Sequence, residues 1–196
     1  SRYFDRITRP EQLMSSLIRA FEVLTNPATA GPVTIAISQD VEGEAYDYDA
    51  VFFQKRVHYL DRKEPVQREL EGAANLIKES KRPVILVGGG AKYSQARDIL
   101  VQLSEKHNIP LVETQAGKST VESQFKNNLG GVGITGTLAA NKVAKTADLI
   151  IGVGTRYTDF ATSSKTAFDW DNAKFLNINV SRFQAYKLDA FPVVAD

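Results

Sequence analysis

The sequence has no cysteine at all, which removes disulfides, thiolate nucleophiles and iron–sulfur ligation together. Histidine is nearly as scarce. His58 and His107 are the only two, and neither has a second ligand at a metal-binding interval. There is no excess of either charge. The 24 basic and 23 acidic residues are interleaved and leave a net charge of +1, whereas a nucleic-acid partner calls for clustered Lys and Arg. No apolar run approaches the roughly 18 residues of a membrane span, and Ser1-Arg2-Tyr3-Phe4-Asp5 is no signal peptide. The reading that follows is a cytoplasmic protein. The first residue is Ser rather than Met, so the chain is read as a piece of a longer protein. G-x-S-x-G, Walker and H-E-x-x-H motifs are missing as well.

What is present is a regular alternation of strand and helix signals. Leu13, Leu17, Phe21 and Leu24 recur at helical spacing after Pro10, and Thr25-Asn26-Pro27 stops that helix. Val33 to Ile37 reads as a strand. The irregular acidic stretch from Asp40 to Asp49 reads as a linker. A metal site there, built from Asp40, Glu42, Glu44, Asp47 and Asp49, is disfavoured because the spacing lacks the EF-hand pattern. From residue 65 the signals are closely spaced. Val66, Leu70, Ala73, Ala74 and Ile77 mark a helix, and Val84 to Val87 a buried strand. Ala96, Ile99, Leu100 and Leu103 mark the next helix, and Pro110 to Val112 a short strand. Residues 117–136 read as a loop. Ala140, Val143, Ala144 and Ala147 give another helix, and Leu149 to Val153 a second wholly apolar strand. Leu176, Ile178 and Val180 alternate like a strand, and Phe191 to Ala195 begins the last one. Strands without a polar face are what a parallel sheet covered by helices on both sides requires. The expected fold is therefore α/β, a three-layer, Rossmann-like parallel sheet with helices on both faces.

Three glycine clusters are candidates for chemistry. Gly88, Gly89 and Gly90 follow a buried strand and precede a helix. In such a turn backbone amides can approach a phosphate, although Tyr93 stands where the dinucleotide fingerprint has its third glycine. The second cluster runs from Gly130 to Thr137 and contains Gly133. The third is Gly152-Val153-Gly154-Thr155-Arg156. Ligands in open parallel sheets collect beyond the carboxyl ends of the strands, so Gly88, Gly89, Gly90, Gly133, Gly154, Thr155 and Arg156 define a candidate nucleotide crevice. Arg156 would meet a phosphate there. The plainer reading is a tight turn that needs small residues, with Arg156 in a surface salt bridge. His107 is assigned to helix capping, and an acid–base role for His58 is weighed and disfavoured. Asp159, Lys165 and Asp169 are loop residues within reach of a ligand or of solvent alone.

The order of these pieces resembles the central domain of thiamine diphosphate enzymes. The run from Arg82 to Ala91 resembles the opening of that domain. Ile109-Pro110-Leu111-Val112-Glu113-Thr114 with Gly117-Lys118 is similar to its second strand and loop. Gly130 to Asn141 and Ala147 to Arg156 with Asp159 continue the pattern. Gly31-Pro32-Val33 to Ile37 with Asp40-Val41 is similar to the end of the pyrimidine-binding domain, with Ser38 where many relatives carry proline. The resemblance divides the chain into the end of the pyrimidine-binding domain (1–44), a linker (45–64) and the central domain (65–196). One branch matches best, through Leu24 to Ala28, Gln39 to Tyr48 and Phe52 to His58. It comprises the decyclising hydrolases of myo-inositol catabolism, which open a cyclic 1,2-dione by carbon–carbon cleavage with thiamine diphosphate and magnesium. The resemblance implies an assembly role for this chain within a homodimer or homotetramer. It implies no catalytic residue, no metal ligand and no tightly held cofactor, because the family's activating glutamate and its G-D-G motif lie in other domains. Competing readings are an acetolactate synthase-like central domain carrying FAD or ADP, a nucleotide-binding module, and a freestanding sirtuin-like or electron-transfer flavoprotein-like domain.

Overall fold

A computed structural model describes all 196 residues, which form two compact units, Ser1–Asp61 and Arg62–Asp196. In the first unit, β1 (Tyr3–Ile7), α1 (Gln12–Thr25) and β2 (Val33–Ile37) form a single β–α–β turn. The two strands run parallel and in register, from Tyr3 beside Val33 to Ile7 beside Ile37. The Asp5 carboxylate accepts hydrogen bonds from Ser16 on α1 (2.5 Å) and from the Tyr3 hydroxyl (2.9 Å). These bonds hold its pKa below the usual carboxylate value. The chain start gave no strand signal, so β1 is an addition to the sequence reading. Its pattern is broken by Asp5 and Arg6, and pairing with β2 supplies what local propensity does not. Ile18, Phe21 and Leu24 leave an apolar stripe of α1 exposed. Beyond β2 the chain makes two short turns at Val41–Gly43 and Ala50–Phe53. Tyr46, Tyr48, Phe52 and Phe53 gather there, Tyr48 stacked on Phe52 and edge to face with Tyr46, and Tyr48 donates to the Pro10 carbonyl at 3.0 Å.

The second unit is a six-stranded, wholly parallel sheet in the order β5-β4-β3-β6-β7-β8. The strands are β3 (Pro83–Val87), β4 (Leu111–Glu113), β5 (Asn128–Gly131), β6 (Leu149–Val153), β7 (Lys174–Ile178) and β8 (Phe191–Val193). Around them lie α2 (Gln67–Glu79), α3 (Gly89–Tyr93), α4 (Arg97–His107), α5 (Leu138–Thr146), α6 (Asp159–Thr162) and α7 (Arg182–Ala185). Counted within the unit, the strand order is 3-2-1-4-5-6, the doubly wound arrangement in which the winding direction reverses once. Alternate residues of the central strands feed two separate cores. Ile85, Val87, Leu111, Leu149 and Ile151 pack with Ala73 and Leu100 on one face. Val84, Leu86, Val112 and Ile150 pack with Ala140, Ala144, Phe168 and Phe175 on the other. This double burial is why β3 and β6 carry no polar residue. Each such side chain contributes about 1.5–3 kcal/mol.

Two elements depart from the sequence reading. β5 lies inside what read as a loop, since Asn128-Leu129-Gly130-Gly131 has little strand propensity and is held as an edge by β4. β7 ends at Ile178, short of Val180, and does not alternate. Phe175, Leu176 and Asn177 are all buried, as on an interior strand. Local devices set the ends of the helices. Thr137 caps α5, accepting from the Ala140 N–H at 3.1 Å and donating to the Leu129 carbonyl at 2.6 Å. Asn108 in the left-handed region (φ 50°) closes α4, so the cap assigned to His107 belongs to its neighbour. Asp148 joins β6 to the start of β3, accepting from the N–H groups of Lys81 (2.8 Å) and Arg82 (2.9 Å) and from the Ser80 hydroxyl. The last residues return to the first ones. Buried Glu69 on α2 accepts from the Val194 N–H at 2.8 Å, the Asp196 N–H donates to the Lys63 carbonyl at 2.9 Å, and Arg62 pairs with the Asp196 carboxylate at 3.1 Å.

Candidate functional site

The winding reverses between β3 and β6, and an open parallel sheet presents its ligand crevice at the carboxyl ends of that strand pair. Gly88, Gly89 and Gly90 leave β3 there, and Gly154, Thr155 and Arg156 leave β6 beside them. The two turns are laced together through their backbones. The Gly88 N–H donates to the Val153 carbonyl at 2.8 Å, and the Gly90 N–H donates to the Gly154 carbonyl at 2.9 Å. No side chain fits between them. A Cβ on Gly88 would stand 2.3 Å from the Gly154 oxygen, one on Gly90 2.7 Å from the Gly154 Cα, and one on Gly154 2.4 Å from the Ala91 nitrogen. Gly154 also has φ +63°, where only glycine is unstrained. Gly117, leaving β4, closes the seam from the other side, with its Cβ position 2.0 Å from the Val87 oxygen. Two amides that a phosphate would use are thus already bonded to carbonyls, and α3 is a helix of five residues.

Gly133 lies apart from this seam. Its φ is +97°, and a Cβ on it would meet the Phe160 carbonyl oxygen at 1.9 Å. Asn141 grips its peptide groups from both sides, accepting from the Gly133 N–H (2.8 Å) and donating to the Gly133 carbonyl (3.0 Å). Of the seven candidate residues the structure therefore brings Gly88, Gly90 and Gly154 into direct contact, with Gly89 against Ala116. It seats Gly133 on the α6 turn instead. Thr155 is buried, and its hydroxyl accepts from the Tyr157 N–H at 3.2 Å. Arg156 projects into solvent, and the Arg62–Asp196, Arg97–Glu122 and Lys174–Glu79 ion pairs leave it out. Its backbone is nevertheless fixed. Lys187 donates to the carbonyls of Arg156 (2.7 Å) and Tyr157 (3.0 Å), and Asn179 donates to the Thr155 carbonyl (2.9 Å). The result is a rigid loop that carries one free guanidinium.

The remaining candidates behave as ordinary surface. Asp159 opens α6, Lys165 is exposed, and Asp169 accepts from the Asn172 amide at 2.9 Å. Asp49 caps its own turn through the Val51 N–H (2.9 Å). No three His, Asp or Glu side chains converge as a metal would require. His58 stacks on Phe21 with 5.8 Å between ring centroids.

Four buried polar side chains escaped the sequence reading, among them Thr120, whose hydroxyl has no partner. Glu113, at the end of β4, is 4% exposed, and its Oε1 has no hydrogen-bond partner. Burial pushes its pKa up. The Asn128 amide, the Lys118 charge and the backbone N–H groups of Ser119 and Val121 offset this in part. The Tyr157 hydroxyl and the Asn177 Oδ1 are likewise buried without partners. For Glu113 and Asn177 the signal was a polar residue interrupting an apolar strand, as in Leu111-Val112-Glu113 and Phe175-Leu176-Asn177-Ile178, whereas Tyr157 lies in a loop and carried none. Thiamine diphosphate with its divalent ion does not fit the residues of this seam, where the Gly88 and Gly90 amides are engaged and no three His, Asp or Glu side chains gather to hold the ion.

Comparison with known proteins adds the lineage. The family described as "Thiamine pyrophosphate enzyme, central domain" matches residues 70–196. Among curated proteins, the chain is 82% identical over 196 residues to the 3D-(3,5/4)-trihydroxycyclohexane-1,2-dione hydrolase of Bacillus licheniformis. It is 81% identical to that of Bacillus subtilis and 72% identical to that of Listeria monocytogenes serotype 4b. Each alignment covers 100% of this chain and 31% of the relative, so the chain spans less than a third of the length of these proteins. A doubly wound sheet matched across residues 70–196 decides the assignment: the chain belongs to the thiamine pyrophosphate enzyme family and carries its central domain.

Proposed function

We propose that the protein to which this chain belongs opens the ring of trihydroxycyclohexane-1,2-dione by hydrolysis, in inositol catabolism, and that this chain has a structural and assembly role in it. The observation that carries the reading is 82% identity, spread over every residue of the chain, to a relative named for that activity. Thiamine diphosphate supplies the chemistry in such an enzyme as an electron sink, and magnesium holds its diphosphate. Both belong to domains outside this chain. What this chain's residues do is mechanical. The Gly88–Gly154 seam locks β3 to β6, and Lys187 and Asn179 fix the loop that presents Arg156. Residues 1–44 are then the end of a pyrimidine-binding domain and 45–64 the linker. A two-stranded parallel sheet with one helix cannot bury both of its faces, which supports its being part of a larger sheet. The intact protein acts as a cytoplasmic homodimer or homotetramer. No helix here is long and apolar enough to cross a membrane.

Two measurements test this. Intact protein given the cyclic dione, thiamine diphosphate and magnesium should yield the open-chain acid, and acetolactate formation from pyruvate instead would overturn the substrate assignment. Calorimetric titration of the 196-residue chain with thiamine diphosphate and magnesium should give no binding heat, and tight one-to-one binding would sink the structural role. The nucleotide reading is tested by thermal shift with FAD, ADP and NAD. The laced seam favours no shift with any of them.

A further inference from the structure

The loop that carries Arg156 is anchored by a side chain that turns back over the sheet. Tyr157 is 2% exposed, adopts φ +45° and packs edge to face on Phe175, with ring centroids 6.0 Å apart. Its hydroxyl oxygen lies 2.2 Å from the point where a Cβ on Gly152 would stand, so only glycine at that position of β6 admits it. Gly152 is paired in register with Asn177 on β7. Paired residues of parallel strands share a face, and neighbouring strands are about 4.8 Å apart. The Tyr157 hydroxyl, seated over Gly152, and the Asn177 side chain thus lie on the same face of neighbouring strands. The Asn177 Nδ2 is used, donating to the Gln184 carbonyl at 2.7 Å, while its Oδ1 has no partner; the phenol oxygen has the Gly152 backbone N–H beside it, but its own proton has no acceptor. Asn177 is completely buried.

We propose that Tyr157 and Asn177 form a buried site for a single water molecule, which bridges the phenol to the Asn177 Oδ1 and pins the Arg156 loop to β7. The chemistry fits one small occupant that both donates and accepts. The phenol offers a proton and the amide oxygen takes one. Two polar groups left unsatisfied in a low-dielectric interior are costly, and a water with two or more polar partners removes that cost. The occupant is neutral. Burial drives the phenol's pKa far above its usual value, so the phenol keeps its proton, and no charged side chain acts on it. Complete burial of Asn177 and near-complete burial of Tyr157 exclude anything as large as a metabolite.

A high-resolution crystal structure of the full-length protein, together with peptide-resolved hydrogen exchange on the unmodified protein and on Tyr157→Phe, tests the site. The expected density is one ordered water within hydrogen-bond distance of both atoms. Tyr157→Phe keeps the ring and removes only the hydroxyl, and exchange of the amides at 155–160 should accelerate about fivefold, the net worth of one hydrogen bond. A direct Tyr157–Asn177 hydrogen bond, a dry gap between the two atoms, or unchanged exchange in Tyr157→Phe each overturns the proposal. Should that variant not fold, the structure of the unmodified protein decides by itself.

Discussion

Alanine in place of Gly154 separates the two readings of the glycine turns. The substitution meets two obstacles at once. At φ +63° a side chain incurs the left-handed backbone cost of about 1–2 kcal/mol. The new methyl would also stand 2.4 Å from the Ala91 nitrogen and 2.5 Å from the Gly90 Cα. These are backbone atoms with no rotamer to escape into. Forcing a methylene-sized group into a packed site adds about 1–3 kcal/mol, and the sum is about 2–5 kcal/mol out of the roughly 5–15 kcal/mol that holds a typical domain together. Urea unfolding followed by circular dichroism, with a slope of about 2 kcal/mol per molar, should show the midpoint falling by at least about 1 M. Gly43→Ala is the control. No atom lies within 4 Å of its Cβ position, and its midpoint should stay put. Glycines kept for the approach of a phosphate would behave differently, since Gly154→Ala would then weaken a nucleotide complex while leaving the unliganded midpoint within a few tenths of a molar. That result would refute the packing argument.

Further outcomes follow from the buried polar groups. Glu113→Gln should stabilise the chain at neutral and alkaline pH. A carboxyl whose folded pKa is raised is at no disadvantage below its ordinary value of 4.5 and loses stability as pH rises through the folded value, so the gap between variant and parent should close in acid. Asp148→Asn should behave in the opposite sense. Burial works against the Asp148 charge, but the hydrogen bonds from Ser80, Lys81 and Arg82 outweigh it and lower its pKa. Its contribution, about 1–2 kcal/mol, is present above the ordinary value of 3.8 and disappears as pH falls through the folded value, which a series of denaturation curves from pH 7 downwards would follow. Glu69→Ala leaves the Val194 N–H without its acceptor and should cost about 1–3 kcal/mol in thermal unfolding, whereas Glu69→Gln, which keeps an acceptor oxygen, should cost less.

The parts of the fold that were legible are those where one physical term dominates. β3 and β6 announce themselves because both faces are buried, and no other arrangement explains apolar runs such as Val84 to Val87 and Leu149 to Val153. Helices α2, α4 and α5 show the 3.6-residue period of a half-covered surface. The elements that were not legible depend on partners distant in sequence. β1 needs β2, thirty residues away, and β5 is a strand only because β4 lies beside it. The candidate site was half legible. Glycine runs mark places where backbone must come close to something, but they do not say whether that something is a phosphate or another backbone. Here Gly88 and Gly154 meet each other, and Gly133 meets the carbonyl of Phe160. Glu113 and Asn177 went unnoticed because a single polar residue in a strand reads locally as an outward-facing position, and only the second layer of helices makes it an inward one; Tyr157 stands in the loop after β6, where nothing local marks it as buried.

The meeting of residues 62 and 63 with residue 196 has a topological consequence. Residues 62 and 63, ahead of α2, and residue 196, beyond β8, are held side by side although more than a hundred residues separate them, so the two segments that flank the sheet are steadied together. Loss of the Arg62–Asp196 ion pair would therefore loosen residues 62–63 and 196 as one unit while the interior strands keep their own pairing.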